Sequence, residues 1–113
     1  MIKLSVCVMR RADLSHEQFD TYWREQHGPL IKTVTDFNRH IRRYVQCHRL
    51  ASDVPLGGSG DYDGIAELWF DDVESMTTAF NEPRYLEIVR PDELKFADLE
   101  RCVSMVSEEL EVL

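Results

Sequence analysis

Two of the four histidines have neighbours that could give them a chemical role. His27 ends the first predicted helix, and Trp23 and Phe19 precede it at intervals of four residues. Side chains at this spacing share one helix face, so His27 is predicted to point toward the sheet and away from water. A neutral imidazole in an apolar cavity can accept a proton near neutral pH. The alternative is a histidine that only binds the free carbonyl groups of the last helical turn.

His48 is the second candidate, because it shares one face of a predicted strand with Tyr44 and Gln46. Three aligned polar groups are costly to bury unless they bind one another, water or a ligand. The pattern is typical of either a ligand-binding row or a polar stripe, and the sequence leaves both open. His16 and His40 are predicted to lie on the surface.

Three other motifs give weaker signals. The segment from His16 to Asp20 differs from the zinc-binding H-E-x-x-H pattern by an Asp at its last position, so we expect no metal site there. The glycine run at 57–60 precedes a strand and adjoins acidic residues that would repel phosphate, which excludes a nucleotide-binding loop. Residues 39–49 are basic; they could attract an anionic substrate, although pairing with surface acids is the commoner arrangement.

The first helix is predicted from its capping pattern. Ser15 and Gln18 have the spacing of a capping box, so the helix is expected from about Ser15 to His27. Gly28 is expected to end this helix in a left-handed conformation, and Pro29 to open the next turn.

The remaining elements follow from hydrophobic periodicity. A second helical region, capped by Asp71 or Asp72, is expected to be interrupted by Pro91. Apolar alternation predicts four strands, at residues 2–9, 41–50, 64–70 and 101–107. The order βαββαβ predicts an α+β, ferredoxin-like fold with a four-stranded antiparallel sheet.

Length and composition restrict the class of protein. A chain of 113 residues is the usual size of one domain, so residues 1–113 are expected to form a single unit. A formal net charge of −8 argues against a nucleic-acid partner, and no apolar run approaches the ~20 residues of a membrane span. Three widely spaced cysteines without a C-x-x-C pair indicate reduced thiols in a cytoplasmic protein.

The predicted strands carry apolar side chains on both faces. In the third strand, Ile65 and Trp69 share one face, while Ala66, Leu68 and Phe70 share the other. Helices cover only one face of such a sheet, so the second face needs another cover. The simplest cover is a second copy of the same sheet, which predicts a homodimer closed into an α/β barrel.

Several stretches of the sequence resemble the EthD-domain family. They follow the order of the family along nearly the whole chain, at residues 15–19, 22–30, 44–48 and 61–72, and at Asp92-Glu93 with Phe96 and Asp98. The resemblance implies the dimeric α/β-barrel superfamily, whose activities include dehydration in polyketide pathways, cyclisation, isomerisation and cofactor-free oxygenation. It also implies that His27 matches the most characteristic polar position of the family and that His48 matches a second frequent one.

We therefore expect an enzyme, without metal or organic cofactor, that acts on a small apolar, cyclic or aromatic carbonyl compound. His27 would move a proton next to the carbonyl group, and His48 with Tyr44 would polarise the carbonyl oxygen. The pocket would lie between helices and sheet or at the barrel mouth, with aromatic walls from Phe19, Tyr22, Trp23 and Trp69.

Two alternatives remain open. If oxygen intercepts the carbanion, the same site would be that of a cofactor-free monooxygenase or oxidoreductase. The sequence shows no nucleophile–base pair, so a non-catalytic accessory protein that binds a hydrophobic molecule is the other alternative.

Overall fold

Four strands form one antiparallel sheet in the computed structural model, which describes residues 1–50, 54–56 and 60–113. The strand order is β2-β3-β1-β4, with bounds β1 Ile2–Val8, β2 Ile41–His48, β3 Gly64–Phe70 and β4 Val103–Ser107. The predicted ferredoxin-like α+β fold is thereby confirmed. The second and fourth strands are shorter than predicted, because β2 ends at His48 and a 3-10 turn occupies Leu99–Arg101.

Two runs of helix cover one face of this sheet. The first run has α1 His16–Tyr22, a first π turn Trp23–His27, α2 Gly28–Thr33 and α3 Thr35–Asn38. The second run has α4 Val73–Asn81, a second π turn Tyr85–Val89 and α5 Arg90–Glu93. The predicted capping box is confirmed, since the Ser15 hydroxyl accepts from the Gln18 amide and the Gln18 side chain accepts from the Ser15 amide.

The prediction that Gly28 ends the first helix is wrong. Gly28 is right-handed, with φ −55° and ψ −53°, and the helix continues through it. Its N–H donates to the Trp23 carbonyl five residues back, which widens the turn just before Pro29. The same arrangement precedes Pro91, where the Arg90 N–H donates to Tyr85. Because a proline cannot donate and crowds the carbonyl four residues back, a widened turn lets each helix continue instead of being interrupted.

The core lies between the helices and the sheet. Aromatic and aliphatic side chains from both helical runs meet the helix-facing residues of β3, which are Ala66, Leu68 and Phe70. The largest fully buried side chains there are Phe19, Trp23, Phe37, Phe70, Tyr85 and Val89.

The outer face of the sheet carries a polar centre and an apolar margin. Lys3 and Glu67 form an ion pair at 2.6 Å in the centre. Trp69 lies beside them, under the cations of Lys3 and Arg43. The predicted alternation of β3 is therefore confirmed, and Trp69 lies on the face opposite the core.

Two cations of the basic stretch at residues 39–49 form ion pairs on the surface. Arg39 contacts Glu82 at 2.9 Å and Arg42 contacts Asp71 at 2.7 Å, so these two cations pair with acids that flank α4. Among the described residues, no helix combines the length and apolar character of a membrane crossing. Residues 57–59 of the glycine run lie outside the described residues.

Gly64 is expected to tolerate no side chain, because Trp23 packs directly against it. A Cβ at this position would lie 2.5 Å from the Trp23 ring and 2.7 Å from the Cys47 carbonyl oxygen. We expect Gly64→Ala to lower the free energy of unfolding by about 1–3 kcal/mol, measured by urea denaturation. Gly60→Ala is the matched control, because a Cβ at Gly60 would lie 4.0 Å from its nearest neighbour, the Tyr62 backbone nitrogen. Equal stabilities of the two variants would contradict this packing.

Candidate active site

A cavity of about 350 Å³ opens between the helices and the helix-facing side of the sheet. Most of its wall is apolar, with contributions from Leu4, Val6, Ile31, Leu68, Phe80 and Phe96. The ionisable groups on the wall are few, namely His27, Tyr44, Tyr85, Arg90, Glu93 and Cys102. A mostly apolar cavity with a few polar groups is the usual form of a site for a small organic molecule.

His27 reaches this cavity from the end of the first π turn. It is only 2% exposed, and its Nδ1 lies 2.8 Å from Oδ2 of Asp92. The carboxylate can only accept, so the proton resides on Nδ1 and Nε2 is left as the acceptor nitrogen. Burial lowers the pKa of His27, against the opposing effect of the hydrogen bond that His27 donates to Asp92. The imidazole is therefore held neutral and ready to accept a proton.

Asp92 is the residue that sequence reasoning missed as a partner of His27. It lies in α5, and its second oxygen accepts a hydrogen bond from the Tyr22 hydroxyl at 2.6 Å. Lys95 is 3.7 Å from the same oxygen. Asp92 does not line the cavity but holds His27 from behind. The available signal was the Asp92-Glu93 pair after Pro91, which the family resemblance contained without assigning it a role.

Glu93 follows Asp92 directly but faces a different environment. It lines the cavity, and its Oε1 accepts a hydrogen bond from the Tyr85 hydroxyl at 2.8 Å. Burial raises the pKa of Glu93 to about 7, although the Tyr85 hydrogen bond and the Arg90 charge oppose this rise. Two adjacent carboxyl groups thus serve different surroundings, one behind the histidine and one on the cavity wall.

Tyr44 is the cavity residue that β2 supplies. Burial raises the pKa of its phenol to about 12, and the charge of Glu93 adds to the rise. The phenol therefore stays protonated at neutral pH and can donate a hydrogen bond to a carbonyl oxygen in the cavity.

His48 does not line the cavity, contrary to the role expected for it. Its ring packs against Trp23, with ring centroids 4.7 Å apart, and its Nδ1 lies 2.5 Å from the Asp20 carboxylate. Its Nε2 contacts the Gln46 side-chain oxygen at 2.9 Å, while the Gln46 nitrogen donates to the Trp23 carbonyl at 3.0 Å. Both ring nitrogens of His48 are engaged by these protein contacts, so neither is free to act as a base on a substrate.

The expected aromatic walls are divided by the structure. Trp23 lines the cavity, whereas Phe19 is fully buried beneath it, with its ring against Trp23. Tyr22 holds Asp92 and does not line the cavity. The prediction that Trp69 forms a wall of this cavity is corrected, because the side-chain alternation of β3 places Trp69 on the outer face. The hydrophobic pattern alone did not show which face of β3 the helices cover.

A side-chain hydrogen bond from β2 holds the first π turn in place. The Trp23 carbonyl accepts from both the Gly28 amide and the Gln46 side chain, so the sheet holds the turn that carries His27. In residues 1–50, 54–56 and 60–113, no three His, Cys, Asp or Glu side chains converge as metal ligands would. Cys7, Cys47 and Cys102 all lie in these ranges and form no disulfide.

The chain is similar in sequence to known proteins. The sequence profile of the EthD domain matches residues 11–100. A conidial pigment biosynthesis dehydratase EthD from Metarhizium robertsii is 28% identical, over 94% of this chain and 80% of the relative. The dehydratase aurZ from Gibberella zeae is 24% identical, over 94% of this chain and 75% of the relative.

Solved structures show the same fold. The crystal structure of an EthD family protein from Bacillus halodurans superposes with a TM-score of 0.70 at 22% identity, covering 97% of this chain and 99% of that one. A dimeric protein of unknown function with a ferredoxin-like fold, from Bacteroides fragilis, has a TM-score of 0.68 at 12% identity, covering 96% and 95%.

Removal of the Gln46 side chain is expected to loosen the first π turn. Gln46→Leu would leave the Trp23 carbonyl with the Gly28 amide as its remaining donor and one nitrogen of His48 without its partner, at a cost of about 1–3 kcal/mol in the free energy of unfolding. Gln26→Leu is the matched control, because Gln26 is an exposed residue of the same turn. Urea denaturation of both variants is the measurement, and an equal effect would show that the contact does not support the turn.

Proposed function

The chain belongs to the EthD domain family, and on this premise we propose that it is a dehydratase that acts on a small apolar carbonyl compound. The observation that carries the proposal is the buried His27–Asp92 pair at an apolar cavity. The names of the curated relatives support the reaction class, because those proteins are called dehydratases. An apolar wall suits a cyclic or aromatic substrate.

The first step is proton removal by His27. Its Nε2 takes a proton from the carbon next to the substrate carbonyl, and the electron pair of the C–H bond moves toward the carbonyl oxygen. Asp92 stabilises the imidazolium that forms, because its carboxylate accepts from Nδ1 throughout. A buried carboxylate in this position is effective, since little water screens its charge.

The second step is loss of the hydroxyl group from the adjacent carbon. The electron pair returns from the enolate oxygen, a carbon–carbon double bond forms, and the carbon–oxygen bond breaks. The proton taken from carbon and the departing hydroxyl together account for one molecule of water. The sequence predicted that Tyr44 and His48 together would polarise the carbonyl oxygen. In this mechanism Tyr44 does so without His48, by donating a hydrogen bond that stabilises the enolate oxygen.

The reaction is tested with a β-hydroxy ketone that carries a naphthyl ring, since dehydration yields a conjugated enone with a new absorbance. We expect His27→Ala to lower kcat/KM by about 100-fold or more, the usual contribution of a general base. His40→Ala is the control, because His40 lies away from the cavity, 3.9 Å from Glu82. Binding of the ketone without turnover by the unsubstituted protein would contradict the proposal and favour a binding protein.

The pH profile of the same reaction gives a second prediction. His27 acts only when neutral, so the acidic limb of kcat/KM rises with pH as the imidazolium loses its proton. Because burial lowers that pKa, the acidic limb is expected below the ordinary histidine value of about 6.5. A limb above this value would show that the Asp92 charge outweighs burial, and a profile without an acidic limb would remove His27 as the base.

We also propose that the protein is a homodimer joined through the outer face of the sheet. Ile65, Val103 and Met105 are 41%, 54% and 63% exposed on this face, and such a patch is typical of an interface. The polar groups at its centre already have partners, since Lys3 and Glu67 bind each other. Two comparison structures of the same fold are described as dimeric, from Bacteroides fragilis and Thermobifida fusca.

Sedimentation tests the homodimer. We expect a species of about twice the 13.2 kDa chain mass at low micromolar concentration. Met105→Lys should shift it toward the monomer, because the charge would have to be buried. Leu86→Lys is the control, as Leu86 is 50% exposed in the second helical run. A folded monomer at all concentrations would contradict the proposal.

A further inference from the structure

We infer that Glu93 is a second catalytic group of the cavity, which protonates the hydroxyl group as it leaves the substrate. The inference rests on the proposed dehydration and adds the acid that this reaction needs. Hydroxide is a poor leaving group at neutral pH, so a positioned proton donor accelerates the breaking of the carbon–oxygen bond.

The geometry separates Glu93 from its neighbour. Asp92 is engaged by His27 and Tyr22 and does not line the cavity, whereas Glu93 does. The Tyr85 hydroxyl at 2.8 Å and the Arg90 Nε at 3.5 Å both approach Oε1 of Glu93. Its Oε2 is therefore the oxygen that remains to carry a proton toward the cavity.

The surroundings of Glu93 favour a neutral acid. Its side chain is 21% exposed, and burial raises its pKa to about 7. The charge of Asp92 also raises the pKa, while Tyr85 and Arg90 lower it. The remaining ionisable groups on the cavity wall come from other segments and are His27, Tyr44 and Cys102. A carboxyl group with a pKa near the working pH can both give and regain a proton efficiently.

The two catalytic groups balance each other. His27 gains one proton from carbon, and Glu93 loses one to the leaving oxygen, so an imidazolium and a carboxylate remain when water departs. Transfer of one proton from His27 to Glu93, through solvent, restores both groups to their starting forms. No oxidant, reductant or further reactant is needed.

Substitution of the leaving group tests the role of Glu93. The probes are the naphthyl β-hydroxy ketone and its β-acetoxy analogue, because acetate leaves without needing a proton. We expect Glu93→Gln to lower kcat about 100-fold or more for the hydroxy ketone and less than about 10-fold for the acetate. His27→Ala should impair both reactions, since both begin with proton removal.

The pH profile gives a readout that a merely structural residue would not change. Glu93 donates only when protonated, so kcat for the hydroxy ketone is expected to fall as pH rises through about 7. This basic limb should disappear in Glu93→Gln. In Tyr85→Phe it should move to higher pH, because the Tyr85 hydrogen bond lowers the pKa of Glu93.

Several results would overturn the inference. A similar loss on both probes in Glu93→Gln, or no loss on either, removes the acid role while dehydration by His27 stands. Carboxyl-carbon NMR of glutamate-labelled protein tests the protonation without substrate, and the absence of a glutamate titrating near pH 7 would also overturn it. If the unsubstituted protein converts neither probe, the proposed dehydration fails, and the role of Glu93 fails with it.

Discussion

The hydrogen bond between His27 and Asp92 is the contact on which the site depends. It joins the first helical run to the second across 65 residues of sequence, at a distance of 2.8 Å in the buried interior. A carboxylate buried without partners would be costly, and here the Tyr22 hydroxyl and His27 both donate to it. This arrangement fixes the tautomer of His27 and so leaves Nε2 as the nitrogen that can accept a proton.

Two widened helical turns lie beside that contact. Each lies just ahead of a proline, Pro29 in one run and Pro91 in the other, and each keeps its helix continuous. The first turn ends at His27, and Asp92 follows Pro91 directly. The prolines do not break the helices here, because the widened turns accommodate them, and the two partners of the contact lie next to these turns. The Gln46 side chain ties the first of these turns to the sheet.

The adjacent carboxyl groups of Asp92 and Glu93 illustrate how environment divides chemical roles. Asp92 accepts from two donors and acts through the histidine, whereas Glu93 has one oxygen bound and sits in apolar surroundings on the cavity wall. Identical chemistry in consecutive residues is separated by the helical rotation between them, which directs neighbouring side chains to different sides. Burial then raises the pKa of the one that faces the apolar cavity.

The sequence by itself determined the element order, the capping of α1, the two faces of β3 and the orientation of His27, because these depend on periodicity and local hydrogen bonds. The prediction that Gly28 ends the first helix was wrong, since a glycine before a proline is compatible with either a helix end or a π turn. Tertiary structure alone decided the partner of His27, the engagement of His48 with Asp20 and Gln46, and the exclusion of Trp69 from the cavity. These outcomes depend on contacts between residues far apart in the chain. Such contacts form only when the helices pack on the sheet, so no local sequence pattern can predict them.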